Sequence, residues 1–183
     1  MRKHLLWFVL GGAACASSTP APETGATSSQ TFAVAGMPGK LTVTSSSRAS
    51  VSAMTFAVDD VWRVLPAAFD SLGLKVSVMD KAQRVIGIEG LKVRVQLGRT
   101  PLSRYMDCGQ TQIGPNADSY DVLLSVVTTV QAVATGGSSI TTNFDAAAKP
   151  IAFSQAFSRC SSRGLFESRL VDLVKRQLQR QGA

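Results

Sequence analysis

The stretch from Asp121 to Ala148 constrains the fold most, because it reads as two long strands closing on a pair of glycines. Val122, Leu124, Val126 and Val130 recur along Asp121–Val133 with the period of a strand, so they share one face. Thr135-Gly136-Gly137-Ser138 follows, and Ile140–Ala148 returns with Ile140 and Phe144 in phase. Glycine tolerates the positive φ that tight hairpin turns demand, so this arrangement predicts an antiparallel hairpin.

Two helical stretches flank it. Val61, Leu65, Phe69 and Leu72 recur at helical spacing over Val58–Leu72, with Asp59 and Asp60 placed to complement the dipole of the first turn. Gly73 is a natural C-terminal cap, and Pro66 should kink this helix or leave one carbonyl free. A second helix is expected at about Gly164–Arg180, with Phe166, Leu170, Leu173 and Val174 inward and Lys175, Arg176 and Arg180 favouring its C-terminal end. Shorter alternating runs predict strands around Leu41 and Val43, over Ser50–Phe56, and at Leu74–Met79, Arg84–Glu89 and Leu91–Leu97. Asp80–Gln83 and Gly90 join the last three. The expected class is α+β: one antiparallel sheet covered on one face by two helices. Residues 39–183 form a single domain by this reading, with no internal repeat and no second linker.

The N-terminus carries an address. Met1-Arg2-Lys3-His4 is cationic, Leu5–Leu10 is apolar, and Gly11-Gly12-Ala13-Ala14 is small, which is the layout of a secretory signal. The apolar run is far below the ~20 residues of a membrane-spanning helix. Cys15 follows at once, and this order resembles the lipobox of bacterial lipoproteins. That resemblance implies removal of residues 1–14, acylation of Cys15 and, with Ala16 next rather than Asp, an outer-membrane anchor facing the periplasm. The family prefers Leu three places before the cysteine, where this chain has Gly12, so ordinary signal-peptidase cleavage is the competing reading. From Ala16 to Pro38, eighteen of twenty-three residues are Ala, Ser, Thr, Pro or Gly. So little apolar surface predicts a flexible tether over residues 15–38.

With Cys15 set aside, Cys108 and Cys160 remain. A pair in an oxidising compartment is expected to form a disulfide, the alternatives being free thiols or two ligands of a metal site. Net charge is +7, of which Arg2 and Lys3 contribute two. The remaining cations form no run and no aromatic interleaving, so nucleic acid is not an expected partner. A solvated basic surface is the plain reading, with attraction to anionic lipid or glycan second.

The helix at 58–72, its Leu72-Gly73-Leu74 exit into a strand, the following meander and the closing helix together resemble the helix-grip domains of BamC-like outer-membrane assembly lipoproteins. Tyr105-Met106-Asp107-Cys108-Gly109 and the two cysteines are similar to segments of uncharacterised envelope lipoproteins. BamC needs no such disulfide, and there this chain departs from the pattern.

Catalysis finds little support. The one histidine, His4, lies in the segment expected to be removed, which takes away Ser-His-Asp and Cys-His arrangements and the commonest metal ligand. Asp59 and Asp60 are adjacent on a helix and diverge by about 100°. Asp107, Asp118 and Asp121 flank one loop and are the remaining candidates for a carboxylate site or a cation. No cofactor and no enzymatic activity are expected.

The segment Gly98–Tyr120 invites a sharper reading, since a loop of twenty-three residues between strands is usually functional or disordered. Thr100-Pro101 is expected to start a short helix through Tyr105, with Thr100 as N-cap. Cys108 would fasten the loop to the start of the last helix. Arg99, Arg104, Tyr105, Gln110, Gln112 and Asn116 give it a surface suited to a partner, against the plainer role of a lid on the sheet edge. Two function classes follow: a non-catalytic envelope lipoprotein that docks on other envelope proteins as an assembly accessory, or a module holding a small apolar or lipid ligand between sheet and helices. A filled core favours the first and a hollow one the second.

Overall fold

The glycine pair does set the hairpin. The structure, a computed structural model, describes residues 28–33, 40–45, 49–134, 136–152 and 154–181. The expected signal segment and Cys15 lie outside these residues. In chain order come β1 (Ser28–Ala33), β2 (Lys40–Ser45), β3 (Ser50–Met54), helix α1 (Val58–Ser71), β4 (Val78–Asp80) and β5 (Val85–Val93). Short strands follow: β6 (Gln96–Leu97), β7 (Thr100–Pro101), β8 (Met106–Asp107), β9 (Gln110–Thr111) and β10 (Gly114–Pro115). The long strands β11 (Asp121–Ala132) and β12 (Ser138–Lys149) come next, then β13 (Ser158–Ser162) and helix α2 (Leu165–Gln181).

β11 and β12 pair from Asp121↔Lys149 to Ala132↔Ser138. Around them the antiparallel order runs β4-β5-β11-β12-β13-β8. β3 also joins β12, opposite Ser138–Thr142, while β13 takes the same edge further along at Ala146–Ala148. Gly137 makes this crowding possible. Its φ is +87°, and a Cβ there would fall 2.3 Å from the Met54 carbonyl oxygen of β3.

Both helices cover one face of the sheet. Val122, Leu124, Val126 and Val130 of β11 face the same way as Ile140, Phe144, Ala146 and Ala148 of β12, and all are buried in one cluster with the helices. Thr128 and Thr142 interrupt this apolar face and satisfy each other by a 3.1 Å hydroxyl contact. From α1 come Val61, Leu65 and Phe69, as the spacing predicts, with Val64 and Ala68 beside them. From α2 come Phe166, Leu170 and Val174, with Val171 and Leu178 added and Leu173 only partly buried. Phe166 is the hub, its ring centroid 6.5 Å from Phe69, 6.2 Å from Tyr105 and 5.5 Å from Phe144.

The ends of α1 behave as its sequence dictates. Gly73 (φ +80°) receives the chain, its N–H donating to the Asp70 carbonyl and that of Leu74 to Phe69, the pattern of a Schellman cap. Leu74 is fully buried as a result. The helix continues through Pro66.

Four expectations are corrected. Arg84–Glu89 and Leu91–Leu97 are not two strands split at Gly90. β5 runs through it, and one extra residue is taken up as a bulge opposite Ser125, where Gly90 has φ +58°. Leu74–Met79 yields a strand only at its end, because the helix cap uses its first residues. Thr100 caps no helix: Thr100–Pro101 pairs with β6, and only a 3-10 turn, Leu102–Arg104, follows. Within the segment expected to be a flexible tether, Ser28–Ala33 is a strand, β1, paired with β2 from Ser28↔Ser45 to Ala33↔Lys40. Thr31 and Phe32 opposite Thr42 and Leu41 supply the strand propensity that the small residues before them lack.

A γ-turn leaves β5, the Gln96 N–H donating to the Arg94 carbonyl at 2.7 Å. It holds Val95 at φ +68°, a region that β-branched side chains avoid. The side chain is half exposed, so its removal sacrifices little burial. Val95→Gly is expected to raise stability by about 1 kcal/mol, the relieved strain outweighing the entropy glycine adds to the unfolded chain. A urea titration that finds the variant less stable would contradict the strain.

Candidate functional site

The long loop is stapled three ways. Cys108 and Cys160 form a disulfide with Cα atoms 4.3 Å apart, inside the reach of the bond. β8 pairs with β13, Ser161↔Asp107 and Ser162↔Met106, so the staple also has backbone support. Arg163 N–H donates to the Tyr105 carbonyl at 2.8 Å, and the Arg163 guanidinium meets the Asp107 carboxylate at 3.0 Å.

Its inner side belongs to the core. Leu97, Leu102, Tyr105, Met106 and Ala117 are all buried. Tyr105 is therefore not part of an exposed interaction surface: its ring packs on Phe166, and its hydroxyl accepts from Arg169 at 2.8 Å. The same Arg169 nitrogen donates to the Thr100 hydroxyl, tying the start of the loop to α2. An aromatic flanked by Leu102 and Met106 carries the spacing of a buried turn, which polar neighbours on either side obscure in the sequence.

The outer side carries the rest of the candidate set. Arg99, Arg104, Gln110 and Gln112 are exposed, and Asn116 is half buried. Asn116 serves the loop itself, its amide nitrogen donating to the Cys108 carbonyl at 3.2 Å and its N–H to the Gly109 carbonyl. Between β9 and β10, Ile113 stands 89% exposed, which the sequence reading missed among its polar neighbours. Ile113, Tyr120, Pro150 and Ile151 line a groove of about 590 Å³, with Ile151 53% exposed. An apolar side chain that far into water on a stapled turn is the kind of feature that marks contact surfaces.

The three loop carboxylates do not converge. Asp107 faces Arg163; Asp118 accepts from the Ser103 N–H at 2.8 Å and its hydroxyl at 2.6 Å; Asp121 takes Arg94 Nε at 2.8 Å. Asp59 and Asp60 likewise pair apart, with Arg84 and Arg63. Among the described residues no group of three His, Cys, Asp or Glu side chains is placed to hold a metal ion.

Burial raises the Glu89 carboxyl above its ordinary range. The folded chain thus favours the neutral form more than the unfolded chain does, a relative stabilisation present at acid pH and lost as pH rises from the unfolded value through the folded one. Glu89→Gln keeps the neutral shape, so it is expected to stabilise at neutral pH and to confer no advantage below the carboxylate range. Urea titrations at both pH values test this, and an equal gain at both would contradict it.

Compared with known proteins, the chain matches no family model, no curated protein and no solved structure.

Proposed function

We propose that the chain is a lipid-anchored envelope protein of the outer membrane that works by docking on other envelope proteins rather than by catalysis. One observation carries the reading. The space between helices and sheet is filled, by Leu65, Phe69, Leu124, Phe144 and Phe166, each with 2% exposure or less, while Ile113 and Ile151 stand out in water on an open groove in the loop that the disulfide fastens. Binding surfaces combine such exposed apolar anchors with a rigid frame and a polar rim, here Gln112 and Gln155. The alternative, a small apolar ligand held between sheet and helices, needs a hollow where those side chains sit. Dispersed carboxylates and the single histidine at position 4 support a non-catalytic role.

A photo-crosslinking side chain at position 113 in native envelopes is expected to give a discrete adduct that Ile151→Asp removes. A control at Lys175, on the exposed side of α2, is expected to give none. No adduct at 113, or one that Ile151→Asp leaves intact, would count against docking through this groove.

A further inference from the structure

The cations that lie scattered in the sequence are gathered by the strand register. On the sheet face opposite the helices, one cross-strand row reads Lys92, Leu123, Ala147 and Arg159. The next row on that face reaches the end of the strands with Asp121 opposite Lys149, and Arg94 bonded to Asp121. Phe157, just before β13, turns its ring under the Lys149 ammonium at 5.0 Å. Lys92, Arg94, Leu123, Lys149 and Phe157 line a groove of about 450 Å³.

The charge of this end is lopsided. Among the described residues Asp121 is the one carboxylate lining the groove, and Arg94 already engages it. On the same face Asp145 stands opposite Ser125, four residues before Lys149 on β12, and the rows beyond it, Val127 opposite Asn143 and Thr129 opposite Thr141, carry no charge. The floor between the cations is apolar, made of Leu123 and Phe157. Side by side, basic groups and apolar surface match the phosphate and glycerol layers of an anionic bilayer. A solvated salt-bridge face would alternate charges instead.

We propose that this groove docks the domain on an anionic lipid surface, Lys92, Arg94 and Lys149 meeting headgroup phosphates and Phe157 sitting at the level of the glycerol backbone. The groove adjoins the Ile113 groove, Asp121 and Lys149 being chain neighbours of Tyr120 and Pro150, but shares no lining residue with it and needs no protein partner, so its failure leaves the docking function above untouched. An acyl anchor at Cys15 would raise the local concentration of the groove at the bilayer, but the groove acts without it.

The test uses the chain from residue 15 onward with Cys15→Ser, so that neither signal segment nor acyl chain contributes. Co-sedimentation is expected with phosphatidylcholine vesicles containing roughly 30 mol % phosphatidylglycerol, falling steeply as salt screens the headgroups. Pure phosphatidylcholine vesicles are expected to leave the protein in the supernatant. Lys92→Glu with Lys149→Glu should weaken binding about 30-fold or more, and the milder Lys92→Gln with Lys149→Gln should weaken it in the same direction. Lys175→Glu with Arg176→Glu, an equal charge change on the exposed side of α2, should alter it by less than about 3-fold. Circular dichroism establishes that each variant folds. Equal losses in the groove and helix variants would make the attraction one of net charge and overturn the site. No vesicle binding by the parent chain overturns it as well, whether or not inorganic phosphate or an acidic protein is bound there instead.

Discussion

Replacing both Cys108 and Cys160 with alanine is expected to lower the unfolding free energy by about 4 kcal/mol, a large share of a small domain's margin. The bond closes a loop with a sequence separation of 52, and opening it returns that freedom to the unfolded chain. The loss should also be uneven. α1, α2, β5, β11 and β12 keep their shared apolar cluster without the bond, whereas β9 and β10 are held, among the described residues, by each other and by local contacts of Asn116 and Ser119. Hydrogen exchange is therefore expected to quicken most over residues 106–120 and little in β11 or β12. A loss below about 1 kcal/mol in urea titration would contradict the prediction. So would exchange that quickens evenly across the sheet, which would make the staple global rather than a loop fastener.

Phe166→Ala is expected to cost about 3–5 kcal/mol, since it opens a cavity where four parts of the fold meet. The ring contacts Phe69 of α1, Tyr105 of the loop and Phe144 of β12, and it stands in the first turn of α2. No one neighbour can fill the space without leaving another. Phe157→Ala is the matched control: its ring is 38% exposed, so a change within about 0.5 kcal/mol is expected. Urea titration of the two variants separates a hub from an ordinary aromatic. A Phe166→Ala loss no larger than that of the control would mean the core collapses around the gap.

The sequence spoke most clearly where one periodicity ran for many residues. β11 and β12 match their predicted strands within a residue or two, and the faces of α1 and α2 follow from helical spacing. The disulfide followed from the number of cysteines and the compartment expected from the N-terminal segment. Short-range turn chemistry was harder to read. Gly90 breaks an alternating pattern equally well as a turn or as a bulge, and only pairing with β11 decides between them. Gly98–Tyr120 holds strands of two residues each, too short to leave a period, and what fixes them is long-range: the staple to β13 and Tyr105 under Phe166.

For the candidate sites the difficulty was one of register. Lys92, Arg94, Lys149 and Arg159 lie up to 67 positions apart in numbering, yet the hairpin register places them within two rows of one face. The same register separates Asp107, Asp118 and Asp121, which sequence alone brings near one another. Ile113 went unnoticed because a lone isoleucine among polar residues looks the same whether it points into a core or into water. Its 89% exposure is a property of the turn between β9 and β10.

A lipid tether at Cys15 would place both of these surfaces at a membrane. Intact mass analysis of the N-terminal peptide, from protein extracted out of native envelopes, tests that placement directly. The expected result is a chain that begins at Cys15 and carries the added mass of a diacylglyceryl group, with Cys15→Ser leaving the protein unacylated and released from the membrane fraction. A mature chain that begins elsewhere, with Cys15 removed or bearing no fatty acid, would contradict it.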